Sequence, residues 1–283
     1  MKFLRYGPKG QEIPAMLDAT GGIRDLSAHV TDLAGDTVSV ESLSKLSQLD
    51  PATLPLLPEG SRIGACVADT PNFICIGLNY AKHAAEANLP MPPEPVIFSK
   101  ATSALSGPND TILLPEGSNG LDWEVELGFV IGRPCSNVSE EDALDYVSGY
   151  FTSNDVSERD FQMNRGGQWV KGKSAPTFGP VGPYLVTPDE VRDPQNLAVS
   201  TKVNGQVMQN SNTSDMIFSV RNIIATLSRY MDLRVGDLVI TGTPEGVGMG
   251  MKPPRYLQPG DVVEVEVEGL GAQNATVSRH EGS

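Results

Sequence analysis

LDWEVELGFVIG, residues 121–132, alternates large apolar side chains with acidic ones. On a β-strand successive side chains point to opposite faces. The spacing therefore predicts a strand over 122–132, with Trp123, Val125, Leu127 and Phe129 on one face and Glu124 and Glu126 on the other. Side chains two positions apart on a strand are anchored roughly 6–7 Å from each other. Two carboxylates at that distance repel unless water screens them or a cation sits between them. A solvated sheet face meets the first condition. DVVEVEVEG at 261–269 has that pattern, with Glu264, Glu266 and Glu268 set between valines and no chemistry around them. What accompanies 121–132 has to decide between a wet face and an ion site.

Outward from this strand, turn signals recur at short intervals. FICIGLNY (73–80) opens the large domain, and SEEDALDYVSGY (139–150) reads as a helix with Ser139 as N-cap and acids in its first turn. YLVT (184–187) leads to LAVSTKVNGQVMQNS (197–211), a hairpin on the type I′ turn pair Asn204-Gly205. DMIFSVRNIIATLSRYM (215–231) repeats apolar residues at the period of one buried helix face. Before residue 66, MKFLRY and AMLDATGGIRDLS read as short strands and Val40 to Leu49 as a helix, followed by the proline-rich connector DPATLPLLPEG (50–60). The sum is an α+β fold, rich in strands, with a small N-terminal α/β domain over 1–65 and a catalytic domain over 66–283.

The 283 residues carry a net charge of −14, which argues against nucleic acid or an anionic membrane surface as partner. An anionic ligand would need positive charge built locally from a metal, Lys or Arg. Cys66, Cys75 and Cys135 have no close metal-type spacing and fit reduced, buried thiols, with a catalytic Cys75 as a minor alternative. MKFLRYGPKGQEIPAM lacks the apolar stretch of a signal peptide, and no run approaches a membrane span, so a cytoplasmic location is expected.

Asp155, in YFTSNDVSERDFQ, falls at an expected strand end. With Glu124 and Glu126 it could complete an all-oxygen site for Mg²⁺, Mn²⁺ or Ca²⁺, or the three could be ordinary surface acids. His83 and Glu86, in GLNYAKHAAEANLP, stand three apart and share a helix face. A glutamate on one ring nitrogen leaves the other as a general base, although a surface ion pair reads the same way. Lys171 and Lys173 lie in the loop-like, glycine- and proline-rich NRGGQWVKGKSAPTFGPVGP, where a lysine could meet a carboxylate or an enolate or equally stand in solvent, the usual fate of a loop lysine. In ITGTPEGVGMG, backbone N–H groups and Thr243 could hold an anion; no P-loop lysine or strand–GxGxxG–helix pattern points to a nucleotide.

GLNYAKHAAE, DWEVELGFVIG, NDVSERDFQ, KGKS, ITGTPEGVG and LQPGDVVEVEVEGLG resemble, in order, the signature segments of the fumarylacetoacetate hydrolase family over about residues 70–280. The resemblance implies a mixed β-sandwich roll, usually a homodimer. It implies Glu124, Glu126 and Asp155 as ligands of Mg²⁺ or Mn²⁺, His83 and Glu86 as a catalytic dyad and Lys173 as the active-site lysine. Arg159, Gln162 and Thr243 match positions that contact substrate. Many members carry an aspartate soon after the lysine, where this chain has Ala175-Pro176. The implied substrate is a small anionic 2-oxo acid, and the resemblance leaves hydrolysis of an acylpyruvate (fumarylpyruvate among them), oxaloacetate-type decarboxylation and isomerisation open. Similarity is greatest to the sugar-acid branch, which cleaves 2,4-diketo-3-deoxy-L-rhamnonate to pyruvate and L-lactate.

Overall fold

In the computed structural model, residues 1–86 and 88–280 are described, so the last three positions of the expected 66–283 unit lie outside it. Two sheets organise the chain. The larger is mixed and contains β1 (Lys2–Tyr6), β2 (Ile13–Leu17), β3 (Ile23–Asp25), β4 (Phe73–Gly77) and β5 (Val96–Lys100). The smaller contains β6 (Ile112–Leu114). β7 (Val125–Ile131), β8 (Val147–Asn154) and β9 (Leu185–Val186) return to the larger sheet. β10 (Ala198–Val203) and β11 (Gln206–Asn212) join the smaller, β12 (Leu238–Ile240) the larger, and β13 (Val262–Val267) and β14 (Gly271–Arg279) the smaller. The orders are β3-β2-β1-β9-β8-β7-β12-β4-β5 and β11-β10-β13-β14-β6. Strands of residues 1–65 thus enter the larger sheet through the antiparallel β1–β9 pair.

β7 sits mid-sheet and is buried along its whole length. Val125, Leu127, Phe129 and Ile131 pack into a core shared with β10, β13, β14 and the helix α5 (Val220–Tyr230). Val130, on the other face, joins a second core with Phe3, Met16, Phe151, Leu238 and Ile240. A strand covered on both faces has no wet side to give to Glu126, which is 2% exposed. By contrast Glu266 on β13 and Glu268 just after it face solvent while Val263, Val265 and Val267 are buried, so the acidic face expected there is a solvated one.

The hairpin turn falls where expected, with Asn204 at φ 53° and Gly205 at φ 76° between β10 and β11. The helix read over 215–231 is confined to 220–230 by Ser219, whose side chain accepts from the Asn222 amide. The helix read over Val40–Leu49 is α1 (Val40–Leu46). The helix expected over 139–150 is not there. SEEDALDYVSGY forms a single 3₁₀ turn at Ala143–Tyr146, and its second half is the start of β8. Ser139 does accept the Asp142 amide at 3.2 Å. The rest of the segment is taken by antiparallel pairing with β7, which Val147 and Tyr150 suit as β-formers. The glycine-rich segment after residue 164, expected as loop, contains the short helix α4 (Val170–Lys173), packed on α3 (Arg159–Asn164). The remaining helix used below is α2 (Ala81–Glu86).

Candidate active site

Register alone brings the three acids together. β7 and β8 pair with Val125 opposite Asn154 and Glu126 opposite Ser153, so Asp155 emerges beside Glu124. The Asp155 amide donates to the Glu124 carbonyl at 2.8 Å, and the Asn154 side chain accepts the Glu124 amide at 2.9 Å. Glu124 precedes the hydrogen-bonded strand, which begins at Val125. One oxygen from each of Glu124, Glu126 and Asp155 lies within 4.8 Å of the other two, and all three residues are buried. The donor set is hard and all-oxygen, with no His or Cys in the cluster, as Mg²⁺ or Mn²⁺ requires.

Glu126 shows why such a cluster calls for a cation. Burial, reinforced by the charges of Asp155 and Glu124, pushes its carboxyl pKa well above the ordinary range. Glu124 goes the other way: burial opposes its charge, but Arg159 and Lys173 outweigh that and hold the pKa below the usual carboxylate range. The Lys173 ammonium lies 2.6 Å from both Glu124 and Asp155. Burial works against that charge too, and the two carboxylates overcome it, raising the lysine pKa. Arg159 reaches Asp122 at 2.8 Å and Glu124 at 2.7 Å, and donates to the Gln162 side chain at 3.1 Å. Lys171, the other lysine of the segment, is exposed and donates to the Arg165 carbonyl.

His83 and Glu86 both lie on α2, with Nδ1 3.2 Å from a glutamate oxygen. The Glu86 carboxylate also accepts the Gly246 amide at 3.1 Å, so its position is fixed from the opposite wall. Glu86 accounts for Nδ1, so Nε2 is the His83 ring nitrogen left for other partners. His83, Glu124, Glu126, Asp155, Arg159, Gln162, Lys173 and Thr243 line one cleft, with about 520 Å³ of atom-free space including its open mouth. Thr243 donates to the Val125 carbonyl at 3.0 Å and presents its side chain to the cleft from the loop after β12.

Two contributors escape the sequence reading. Lys100, whose side chain is fully buried, pairs with Asp155 and donates to the Val156 carbonyl at 3.1 Å. A lysine closing the strand VIFSK looks like a solvated strand end, and nothing local distinguishes it. Asp122 anchors Arg159 and accepts the amides of Gly248 and Met249 at 2.7 and 3.0 Å. Its signal was available, since 122, 124 and 126 continue the same alternation. Asp122, Glu124, Glu126 and Asp155 outnumber Lys100, Arg159 and Lys173 by one, so a divalent ion turns the local balance positive and favourable to an anion. Cys75 is fully buried, and burial pushes its thiol well above the ordinary range, which removes it as a nucleophile.

Residues 72–278 match the family model described as fumarylacetoacetate hydrolase, C-terminal. A protein of Burkholderia multivorans with the general name of a hydrolase is 60% identical over 274 residues, covering 96% of this chain and 97% of its own. The solved fumarylacetoacetate hydrolase of Exiguobacterium antarcticum superposes with a TM-score of 0.87 at 36% identity, over 99% of this chain and all of that one. The maleylpyruvate hydrolase of Sphingobium sp. SYK-6, solved with manganese(II) and pyruvate, gives 0.82 at 28% identity over 99% of each chain.

Proposed function

The chain belongs to the fumarylacetoacetate hydrolase family, and from that premise we propose that it is a metal-dependent hydrolase cleaving the C3–C4 bond of an acylpyruvate. The observation that carries the reading is the convergence, in one cleft, of an oxygen cluster suited to a divalent ion and a histidine oriented by a glutamate. Glu124, Glu126 and Asp155 are the residues to hold Mg²⁺ or Mn²⁺. A divalent ion there supplies Lewis acidity toward the carboxylate and keto oxygens of a 2-oxo acid. The complex of the Sphingobium enzyme with manganese and pyruvate supports both choices.

His83 then acts at the far side of the substrate. Glu86 accepts its Nδ1 proton, Nε2 takes a proton from water, and the hydroxide adds to the C4 carbonyl. Collapse of the tetrahedral adduct breaks C3–C4, the acyl half leaves as a carboxylic acid, and the electron pair goes to the enolate of pyruvate. The Lys173 ammonium lies beside the acids where that negative charge develops, and Arg159, Gln162 and Thr243 line the same wall. Protonation of the enolate carbon completes the turnover. Within this class the substrate we favour is 2,4-diketo-3-deoxy-L-rhamnonate, giving pyruvate and L-lactate.

The test is pyruvate release from acylpyruvates with Mg²⁺ or Mn²⁺ present and after chelation, for the wild type and His83→Asn. Chelation should abolish turnover. The variant should lose roughly 10²- to 10⁴-fold in kcat, the usual worth of general acid–base catalysis, while binding Mn²⁺ as the wild type does. An unchanged rate in His83→Asn would refute the histidine's role as general base, and CO₂ release without pyruvate would favour metal-assisted decarboxylation of a 2-oxo acid, which needs no attacking water.

A further inference from the structure

We infer that the outer half of the cleft selects an acyl group ending in hydrocarbon and disfavours one ending in a carboxylate; this rests on the acylpyruvate reading above. The inner end holds the acids, Lys173 and Arg159. The outer wall is formed by Leu89, Met163, Trp169 and Met249, with Phe98 between the two ends, its ring centre 5.2 Å from the Lys173 ammonium. Both halves come from the same helices. Met163 stands four residues after Arg159 on α3, and Trp169, the residue preceding α4, stands four before Lys173. On a helix that spacing puts the two side chains on one face, a turn apart. One turn therefore separates the charge-binding end from the apolar end.

The apolar end is built rather than incidental. Trp169 meets Phe98 edge-on, with ring centres 5.2 Å apart and planes at 66°. Its ring also lies over Gly77, where any Cβ would come within 2.5 Å of it. Met163 is 51% exposed and Leu89 46%, large apolar side chains left at the rim with surface still to be covered.

Nothing at this end neutralises a second negative charge. Among the described residues lining the cleft, the Lys and Arg side chains are Arg159 and Lys173, and each already pairs with two carboxylates. Neighbouring cations on the same segments are turned to other partners: Lys82 to Asp215 at 2.6 Å, Arg165 to Asp160 at 2.8 Å, Lys171 to a backbone carbonyl at 2.6 Å. A terminal carboxylate would be stripped of water beside Trp169 and Met163 without a counter-charge, in a chain of net charge −14. A methylene in the same place gains from burial.

The experiment uses the Mn²⁺-loaded wild type and acylpyruvates of increasing alkyl length, from acetylpyruvate to hexanoylpyruvate, against succinylpyruvate and fumarylpyruvate. We expect kcat/KM to rise about two- to four-fold per methylene, and the carboxylate-ended compounds to fall at least about ten-fold below alkyl ones of equal length. A flat alkyl series, or equal use of the carboxylate-ended compounds, overturns the inference. A second arm needs no turnover: dissociation constants of 2-oxooctanoate and 2-oxooctanedioate by calorimetry. Tighter binding of the monoacid supports the apolar mouth even if no acylpyruvate yields pyruvate, an outcome that would sink the reaction and leave the mouth standing. Equal or tighter binding of the diacid overturns it. Met163→Arg, at a half-exposed position, should gain about ten-fold or more toward the diacid, the effect of one favourable charge pair; no gain refutes the placement of the tail beside α3.

Discussion

Gly172 is the point through which α3 and α4 touch. A Cβ placed on it meets the Gln162 amide nitrogen and the Glu158 carbonyl oxygen at 2.5 Å, and Gln162 Cβ at 2.6 Å. Backbone atoms cannot rotate aside, and such contacts settle near 3.5–4 Å. Gly172→Ala must therefore part the helices by roughly 1 Å. Lys173, the next residue, makes both its carboxylate contacts at 2.6 Å, and a shift of that size takes both beyond hydrogen-bond range. Misplacing a catalytic group by about 1 Å costs on the order of 10²-fold in rate, or about 2.7 kcal/mol of barrier. The overpacking itself should cost about 1–3 kcal/mol of stability. The assay is kcat/KM for acetylpyruvate, followed by loss of diketo absorbance, with the thermal midpoint measured beside it. If the effect runs through Lys173, the double variant Gly172→Ala/Lys173→Met should be no slower than Lys173→Met alone. A Gly172→Ala enzyme within two-fold of the wild type, or a double variant whose loss is the product of the two single losses, refutes the reasoning.

Lys100→Met leaves the buried Asp155 carboxylate short of one of its two ammonium partners, and should destabilise the metal-free protein by about 3–5 kcal/mol. Denaturant midpoints with and without Mn²⁺ check it, and the gap should narrow when the ion is added. The bridge from Arg62 to Asp110 and Glu12, at 2.6 Å on both arms, ties the first strands to the segment ahead of β6. Burial opposes both carboxylates, but Arg62 together with backbone N–H donors, and for Glu12 also Arg5, outweighs it and lowers their pKa values. A depressed carboxylate stabilises the fold above its unfolded pKa and loses that contribution as the pH falls toward the folded one. Urea midpoints should therefore drop steeply below about pH 4 in the wild type and less so in Arg62→Ala, which starts about 1–3 kcal/mol lower at neutral pH.

Much of the site was legible because strand periodicity is strict. The alternation in 121–132 puts Glu124 and Glu126 on one side, although the hydrogen-bonded strand begins only at Val125, and that both faces of the strand are covered is a fact of the fold. Asp155 was legible only as a strand end; the β7–β8 register that carries it to Glu124 is a long-range fact. The same pairing explains the misread segment at 139–150. A capping serine and early acids argue locally for a helix, and tertiary pairing overrides them. Lys100 was illegible for a related reason. Its partners lie 55 and 56 residues away, and a lysine at a strand end carries no local mark of burial.

The segment after β12 touches both halves of the chemistry. Gly242, at φ +96°, turns its amide onto Glu126 at 2.7 Å, and Gly246, also at +96°, turns its amide onto Glu86. A Cβ on Gly246 would strike the Met208 carbonyl at 2.1 Å, so that turn admits little besides glycine. The proposed ion ligand Glu126 and the proposed dyad's Glu86 are in this way both held by one short turn of backbone. On the reading proposed above, a change in the pitch of that turn would shift ion affinity and turnover together, leaving little freedom to improve one without the other.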